Sequence, residues 1–303
     1  MIRDGKRFNK NRNALLFMAL PLLIMVVLFN YVPLFGWSFA FFRYRPGIPL
    51  SETPFMGLHY FQMMIGRWSD VSRVLINTLA LGGLSLLIIP FAMMTSVFLN
   101  AIKNKTYKRI VQTITIFPYF VSWIIVYALV FSLFSSQGMV NVWLLNAGII
   151  ERPLNVLGNA DNAWLFQTSL SMWKFLGWNT IIYMAAIAGI DAELYEAARI
   201  DGAGRFRCTW NITLPGLLPA FAVLLILAVS NVLNQGFEQY LVFRNPQVAA
   251  RIEVIDIYTY RLGLVTGDFS YATAIGMLKT VISISVLFTC NFILKKTRGA
   301  GFF

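Results

Sequence analysis

Six stretches of this 303-residue chain are apolar over about twenty residues or more: roughly 14–37, 75–99, 110–134, 164–189, 216–236 and 272–294. A helix rises about 1.5 Å per residue, so about 20 residues cross a hydrocarbon core about 30 Å thick. Inside that core every backbone N–H and C=O must find its partner within the segment, which a helix achieves. The runs therefore predict an all-α, polytopic membrane protein with six transmembrane helices. Composition agrees, because only 13% of the residues are charged and the mean hydropathy is +0.66, where a soluble domain carries about 25% charged residues. Five basic residues, Arg3 to Arg12, precede the first run in the manner of a secretory signal. The run continues to about Trp37, beyond the length of a signal's apolar region, and shows no small-x-small cleavage site. It is read as an uncleaved first membrane helix.

The distribution of lysine and arginine sets the orientation. With the N-terminus inside, the cytoplasmic segments hold 15 basic residues, including Lys103, Lys105, Lys108, Arg109, Arg199, Arg205, Arg207, Lys295, Lys296 and Arg298. The longer outer loops hold eight, among them Arg43, Arg45, Arg244 and Arg251. Both termini are expected in the cytoplasm. The formal net charge of +12 thus follows from topology rather than from a nucleic-acid surface. The outer loops are rich in turn formers such as Pro46, Gly47, Pro49, Asn155 and Gly158, and Trp68, Trp143 and Trp164 suit the membrane interface. Two cysteines, Cys208 and Cys290, cannot make a disulfide framework. His59 is the only histidine and no metal-ligand spacing is present, so no metal site is expected. No G-x-x-x-x-G-K-[ST] loop is available for ATP.

Residues 191–205 read DAELYEAARIDGAGR. Asp191 can cap a helix, Leu194, Ala197, Ala198 and Asp201 recur at helical spacing, and Gly202 suits a C-terminal turn. Ala197, Ala198, Ala203 and Gly204 would let a partner approach closely, and Glu196 offers a charge. Pro215 opens the fifth span, where a missing N–H costs least. The longer stretch 196–215, EAARIDGAGRFRCTWNITLP, contains Glu196-Ala197-Ala198, three residues, Gly202, nine residues, and Ile212-x-Leu214-Pro215. At that spacing it resembles the cytoplasmic coupling loop of the permease subunits of binding-protein-dependent ABC importers.

The resemblance implies a five-helix permease core of the MetI-like kind preceded by one peripheral helix. The expected layout is a cytoplasmic N-terminus (1–13), a first transmembrane helix (14–37), an outer loop (38–74), a transport core (75–294) with its coupling loop at 190–215, and a cytoplasmic C-terminus (295–303). It implies that Glu196, Ala197, Ala198, Asp201, Gly202, Ala203, Gly204, Ile212, Leu214 and Pro215 couple the chain to an ATPase. It further implies a second homologous permease subunit, an ATPase dimer that binds ATP and Mg, and an extracytoplasmic solute-binding protein, in a bacterial plasma membrane. No cofactor is expected on this chain itself.

Trp173-Lys174 with Gly177, Glu193-Leu194-Tyr195, Tyr271-Ala272-Thr273-Ala274-Ile275-Gly276 and Lys279 resemble oligosaccharide permeases, in particular those serving polymer-derived glycans. Phe55-Met56-Gly57-Leu58 and Tyr60-Phe61 add to the likeness, which covers about residues 70 to 298 and is weaker before them. Gly189-Ile190-Asp191 departs from the Ile-Pro that many sugar permeases carry there; Asp191 can cap without it. Unlike the maltose permease of that type, the chain has no room for a large extra outer domain.

Charge inside a bilayer is a functional signal by default. Lys174 lies roughly 15 Å into the fourth span and Lys279 roughly 10 Å into the sixth. Lys174, beside Trp173, Trp178 and Asn179, is expected in a cavity or against a buried carbonyl or carboxylate; Lys279 could equally snorkel to the interface. The fifth span carries Ser230, Asn231, Asn234 and Gln235 in its outer half, and Asn231 and Asn234, three apart, share a face. Such amides bridge sugar hydroxyls, or join helices for about 1 kcal/mol. Maltose-type permeases place sugar-contacting asparagines at about this distance, so Trp173, Lys174, Gly177, Trp178, Asn179, Asn231, Asn234, Gln235 and Lys279 form the expected substrate path. Lys174 would also suit an acidic glycan. Arg43 and Arg45 could serve the same purpose or dock a binding protein.

The sequence thus points to a non-enzymatic permease subunit moving oligosaccharides into the cytoplasm by alternating access. A permease for a non-sugar solute is the alternative. A channel or secondary transporter would show discontinuous spans or repeats, and neither is visible in the sequence.

Overall fold

The computed structural model describes residues 16–234 and 236–298. The N-terminal segment 1–13, Gln235 and the last five residues of the expected C-terminal segment lie outside the described residues. The elements are α1 (Leu16–Phe41, with a π turn at Val27–Tyr31 and 3-10 turns over Val32–Phe41), α2 (His59–Gly66), α3 (Trp68–Ser85), α4 (Ile88–Ala101), α5 (Lys105–Ile116), α6 (Trp123–Phe134), α7 (Met139–Asn146) and α8 (Ala163–Ala188). There follow α9 (Ala192–Ile200), α10 (Arg205–Cys208), α11 (Leu214–Ser230), α12 (Phe237–Phe243), α13 (Ala249–Ile252), α14 (Ile255–Tyr260) and α15 (Phe269–Arg298). Among the described residues the β pairing is a single antiparallel bridge, Phe42 to Phe55.

Five helical segments are long and apolar enough to cross a membrane: Leu16–Phe41, Trp68–Ala101, Trp123–Asn146, Arg205–Ser230 and Phe269–Phe292. A sixth results if Ala163–Ala188 and Ala192–Ile200, bent by 68° at their junction, count as one span.

Three of the expected spans are not the simple helices the apolar pattern suggests. Run 75–99 breaks between α3 and α4, because Pro90 has no N–H to give the carbonyl of Leu86 four residues back. Run 110–134 is α5, a 3-10 turn Phe117–Phe120 opened by Pro118, and then α6, whose cap Ser122 accepts from the Ile125 N–H at 3.4 Å. Run 216–236 ends as helix at Ser230, and residues 231–234 turn. Hydropathy reads burial in lipid and is blind to such interruptions.

The chain divides into two packed units. In one, residues 16–68 join 259–278. None of the apolar window of Leu16–Phe41 is buried in this chain, whereas Ala40, Tyr271, Ala274 and Ile275 are fully buried. The Tyr271-to-Gly276 motif thus contributes packing residues.

The second unit holds residues 69–258 and 279–298. One of its cores joins Ile89 and Ala92 of α4, Tyr183 and Ile187 of α8, and Leu217 of α11. The other gathers Trp123, Val126 and Val130 of α6 with Tyr240, Phe243, Ile252 and Ile257. Helices α5 and α8 meet so closely at Gly177 that an added Cβ would stand 2.2 Å from the Thr115 carbonyl oxygen. Backbone cannot yield as a flexible side chain can. We therefore expect Gly177→Val to cost about 1–3 kcal/mol or more, visible as a lowered midpoint in thermal unfolding of the detergent-solubilised protein. An unchanged midpoint would contradict this crossing.

Candidate functional site: an amide-lined cavity and its coupling helix

A cavity of about 400 Å³ opens in the second unit. Ser171, Phe175 and Asn179 of α8 supply one wall; they are four residues apart and so stack on one helix face. Leu224, Leu227 and Ala228 of α11 supply another. Trp123 opens α6 and is held there by the Ser122 cap. Ser85, Ile88 and Ile89 line the cavity from the α3–α4 junction, and the last wall is the turn after α11 and the start of α12, carrying Asn231, Asn234, Gly236, Gln239 and Tyr240.

Two glycines shape that last wall. Gly236 has φ +78° and precedes Tyr240 so closely that a Cβ would lie 2.2 Å from its ring, so the position excludes other residues on both counts. Gly82 of α3 lets Val232 pack against it, since a Cβ there would meet the Val232 carbonyl oxygen at 2.3 Å.

The polar groups divide into a braced set and an open set. Gln239 is buried; its Nε2 donates to the Gln167 carbonyl at 2.9 Å and to Gln167 Oε1 at 2.8 Å, and its Oε1 accepts from Ser171 Oγ at 2.7 Å. Asn179 Nδ2 donates to the Phe175 carbonyl at 3.0 Å and Asn231 Nδ2 to the Leu227 carbonyl at 2.9 Å. Their side-chain oxygens, and the whole Asn234 amide, make no hydrogen bond among the described residues. Open amides beside Trp123, Phe175 and Tyr240 can bridge hydroxyl pairs while the rings cover an apolar face. Among the described residues no charged side chain lines the cavity.

Of the residues placed on the substrate path from sequence, Asn179, Asn231 and Asn234 line this cavity. Asn231 and Asn234 do so from a turn rather than from one helical face. Trp173, Lys174, Gly177, Trp178 and Lys279 are not in its lining, and Gln235 lies outside the described residues. Trp178 stacks on Tyr119, with ring centres 4.5 Å apart, and Trp173 is half-exposed.

Lys174 is buried, and its ammonium donates to the carbonyls of Pro118, Tyr119 and Val121, with the Trp123 ring 5.3 Å away. An ammonium has three N–H donors, and all three meet carbonyls freed where α5 stops and α6 begins. Lys174→Met should strand those acceptors, lower the thermal midpoint, and reduce uptake of neutral and acidic solutes alike. A loss confined to acidic solutes would contradict this role. Lys279 pairs with Asp256, both side chains being largely buried. A double-mutant cycle of Lys279→Met and Asp256→Asn on thermal stability should return a coupling of about 1–3 kcal/mol; additive effects would show the pair to be idle.

Sequence reasoning missed Ser85, Trp123, Ser171, Phe175, Gln239 and Tyr240. The available signal was Gly236 after an asparagine-rich turn, followed at three and four residues by Gln239 and Tyr240.

The segment expected to couple to an ATPase leaves α8 at Gly189, and α9 begins with the Asp191 carboxylate accepting the Glu193 N–H at 3.0 Å. Gly202, at φ +74°, ends it: the Gly202 N–H reaches the Arg199 carbonyl at 3.0 Å and the Ala203 N–H reaches the Ala198 carbonyl at 2.8 Å. Those two bonds make a Schellman cap. No residue of α9 is buried, and Ile200, Phe206 and Trp210 are 87%, 80% and 63% exposed. Glu196, Ala197, Asp201, Gly202 and Gly204 are exposed as well, while Ala198 and Ala203 are half-buried. The segment is nonetheless tied at both ends. Tyr195 Oη lies 3.0 Å from Thr213 Oγ1, in the π turn Thr209–Thr213 that also holds Ile212. Ile190 packs so tightly on Gly216 that a Cβ there would stand 2.6 Å from Cδ1. Leu214 and Pro215 open α11. α9 is thereby tied to both α8 and α11, each of which supplies one wall of the cavity.

Residues 88–299 match the model of the binding-protein-dependent transport system inner membrane component. The chain belongs to this family. Among members of the family, it is 36% identical over 288 residues to protein LplB of Bacillus subtilis (strain 168), covering 94% of this chain and 90% of that protein. It is 35% identical to the polygalacturonan/rhamnogalacturonan transport system permease protein YteP of the same organism, over 94% and 89% of the two chains. A solved bacterial alginate ABC transporter in complex with alginate pentasaccharide-bound periplasmic protein contains a chain of the same fold, with a TM-score of 0.85, 33% identity, and coverage of 97% of this chain and 98% of that one.

Proposed function

We propose that this inner membrane component is one of two homologous permease subunits of an ATP-driven importer that carries polymer-derived oligosaccharides into the bacterial cytoplasm. The observation that carries the reading is the cavity with open amides and aromatic faces, set on the same two helices that hold the exposed coupling segment. Amides and rings suit hydroxyl-rich rings and lack the charged groups expected for an amino acid, phosphate or metal ion. The polygalacturonan/rhamnogalacturonan permease and the alginate transporter, similar over nearly the whole chain, support the same substrate class.

On this reading α9 docks on an ATPase dimer, which binds ATP and Mg and performs the hydrolysis; this chain binds no cofactor. Exposed Ile200, Phe206 and Trp210 supply the apolar contact and Glu196 the charge. Closure of the ATPase dimer moves α9, the ties at Tyr195–Thr213 and Ile190–Gly216 drag α8 and α11, and the cavity is exposed by turns to each side. An extracytoplasmic solute-binding protein delivers the sugar. The basic segments put both termini and the coupling loop in the cytoplasm, with the protein in the plasma membrane.

The test is uptake into proteoliposomes containing both permeases, the ATPases and the binding protein, across a panel of oligosaccharides, amino acids and phosphate. Oligosaccharide uptake that requires internal ATP is expected. ATP-driven uptake of a non-sugar solute alone would overturn the reading.

A further inference from the structure

A second concavity, of about 460 Å³, lies within the unit formed by residues 16–68 and 259–278 and is lined mainly by polar groups. Arg43 and Arg45 both face it. Phe42 is extended (φ −121°, ψ 155°) and bridges to Phe55, which fixes the start of the turn that carries both arginines.

The backbone that presents them is braced. The Arg43 N–H donates to the Pro54 carbonyl at 3.0 Å and the Met56 N–H to the Phe41 carbonyl at 2.7 Å. Buried Ser270 donates to the Phe42 carbonyl at 2.7 Å and accepts the Tyr44 N–H at 3.0 Å. Tyr44, between the two arginines, stacks on Phe39 with ring centres 3.9 Å apart.

Neither guanidinium has an ion pair or a side-chain hydrogen bond among the described residues. Elsewhere in the chain, Arg73 and Arg244 each find a carboxylate within 4.0 Å. The acid in the lining is Asp268, and one of its oxygens accepts the Tyr271 N–H at 3.2 Å as the cap of α15. His59 adds a further N–H group at the rim. Two unpaired forks on a rigid mount, in a concavity of small-ligand size, fit a planar carboxylate that each can grip with two parallel N–H bonds. A protein partner would instead need a broad face of about 800 Å².

We propose that this pocket is a carboxylate site in which Arg43 and Arg45 hold a uronate residue of an acidic oligosaccharide, making acidic rather than neutral glycans the favoured cargo. The proposal rests on the oligosaccharide reading above and adds its charge class.

The experiment uses the full complex of permeases and ATPases, purified without its binding protein, with trigalacturonate and maltotriose as probes in isothermal titration. Trigalacturonate should bind and maltotriose should not match it. R43Q/R45Q should weaken trigalacturonate binding by at least about tenfold, and R43K/R45K, which keeps charge but loses the fork, should restore it only in part. No binding of trigalacturonate by the wild type, or binding unchanged in R43Q/R45Q, overturns the proposal. So does an R43Q/R45Q complex that keeps trigalacturonate affinity yet no longer co-sediments with the binding protein, since the arginines would then serve protein docking. Failure of the oligosaccharide reading would show separately, as absence of ATP-driven uptake of any sugar by the wild type.

Discussion

Gly202→Val should reduce ATP-driven uptake by about tenfold or more while the chain still reaches the membrane. Gly202 sits at φ +74° with nothing within 4 Å of an added Cβ. Steric space is therefore not the issue. The αL conformation costs an L-residue about 1–2 kcal/mol, and a β-branched one more. That cost falls on the Schellman cap that sets the end of α9, and about 1.4 kcal/mol is a factor of ten in an equilibrium. Asparagine tolerates αL, so Gly202→Asn should retain most of the uptake. Glu196→Lys breaks no ion pair or side-chain hydrogen bond among the described residues, and Glu196 is exposed. Its expected effect, loss of uptake with normal assembly, would come from the docking surface alone. The check is uptake and ATP hydrolysis measured on the same proteoliposomes; normal uptake in Gly202→Val and Glu196→Lys would contradict the coupling role of this segment.

The paired change Asn231→Leu with Asn234→Leu should abolish uptake, a loss of about a hundredfold or more, without loss of expression. Both residues are exposed and line the cavity, and the Asn234 side chain makes no hydrogen bond among the described residues. Removing them strands no buried partner except the Leu227 carbonyl that Asn231 bonds. A sugar hydroxyl left unpaired in a desolvated site costs about 1–3 kcal/mol, and two amides meet several hydroxyls. Wild-type uptake by this variant would remove the cavity from the transport path. A variant that fails to express would be replaced by Asn234→Ala alone, which breaks no side-chain hydrogen bond among the described residues.

Much of this was legible in the amino acids, for reasons that differ by element. The coupling segment was readable residue by residue because its signals are local: an aspartate cap, small residues, and a glycine where the backbone turns left-handed. The existence of the spans was readable because lipid demands long apolar runs. Their interruptions were not, although Pro90 and Pro118 marked two of them, since proline is common in membrane helices and hydropathy ignores it. Lys174 shows the same limit. Sequence offers a lysine deep in a span, and only the broken third span supplies the three carbonyls that hold it. Asn231 and Asn234 face one cavity because the chain turns after Ser230, not because they are three apart on a helix. Gln239 and Tyr240 escaped notice because they enter the wall from a short helix beyond the last apolar residue of the run.

On the proposed function, occupancy on the sugar side governs the ATPase through α9. The most direct measurement is ATP hydrolysis by the reconstituted complex, with and without binding protein loaded with each oligosaccharide. Stimulation by one sugar-loaded form, lost in Gly202→Val while basal hydrolysis persists, is the expected result. Hydrolysis indifferent to every sugar-loaded form, in a complex that assembles, would contradict it.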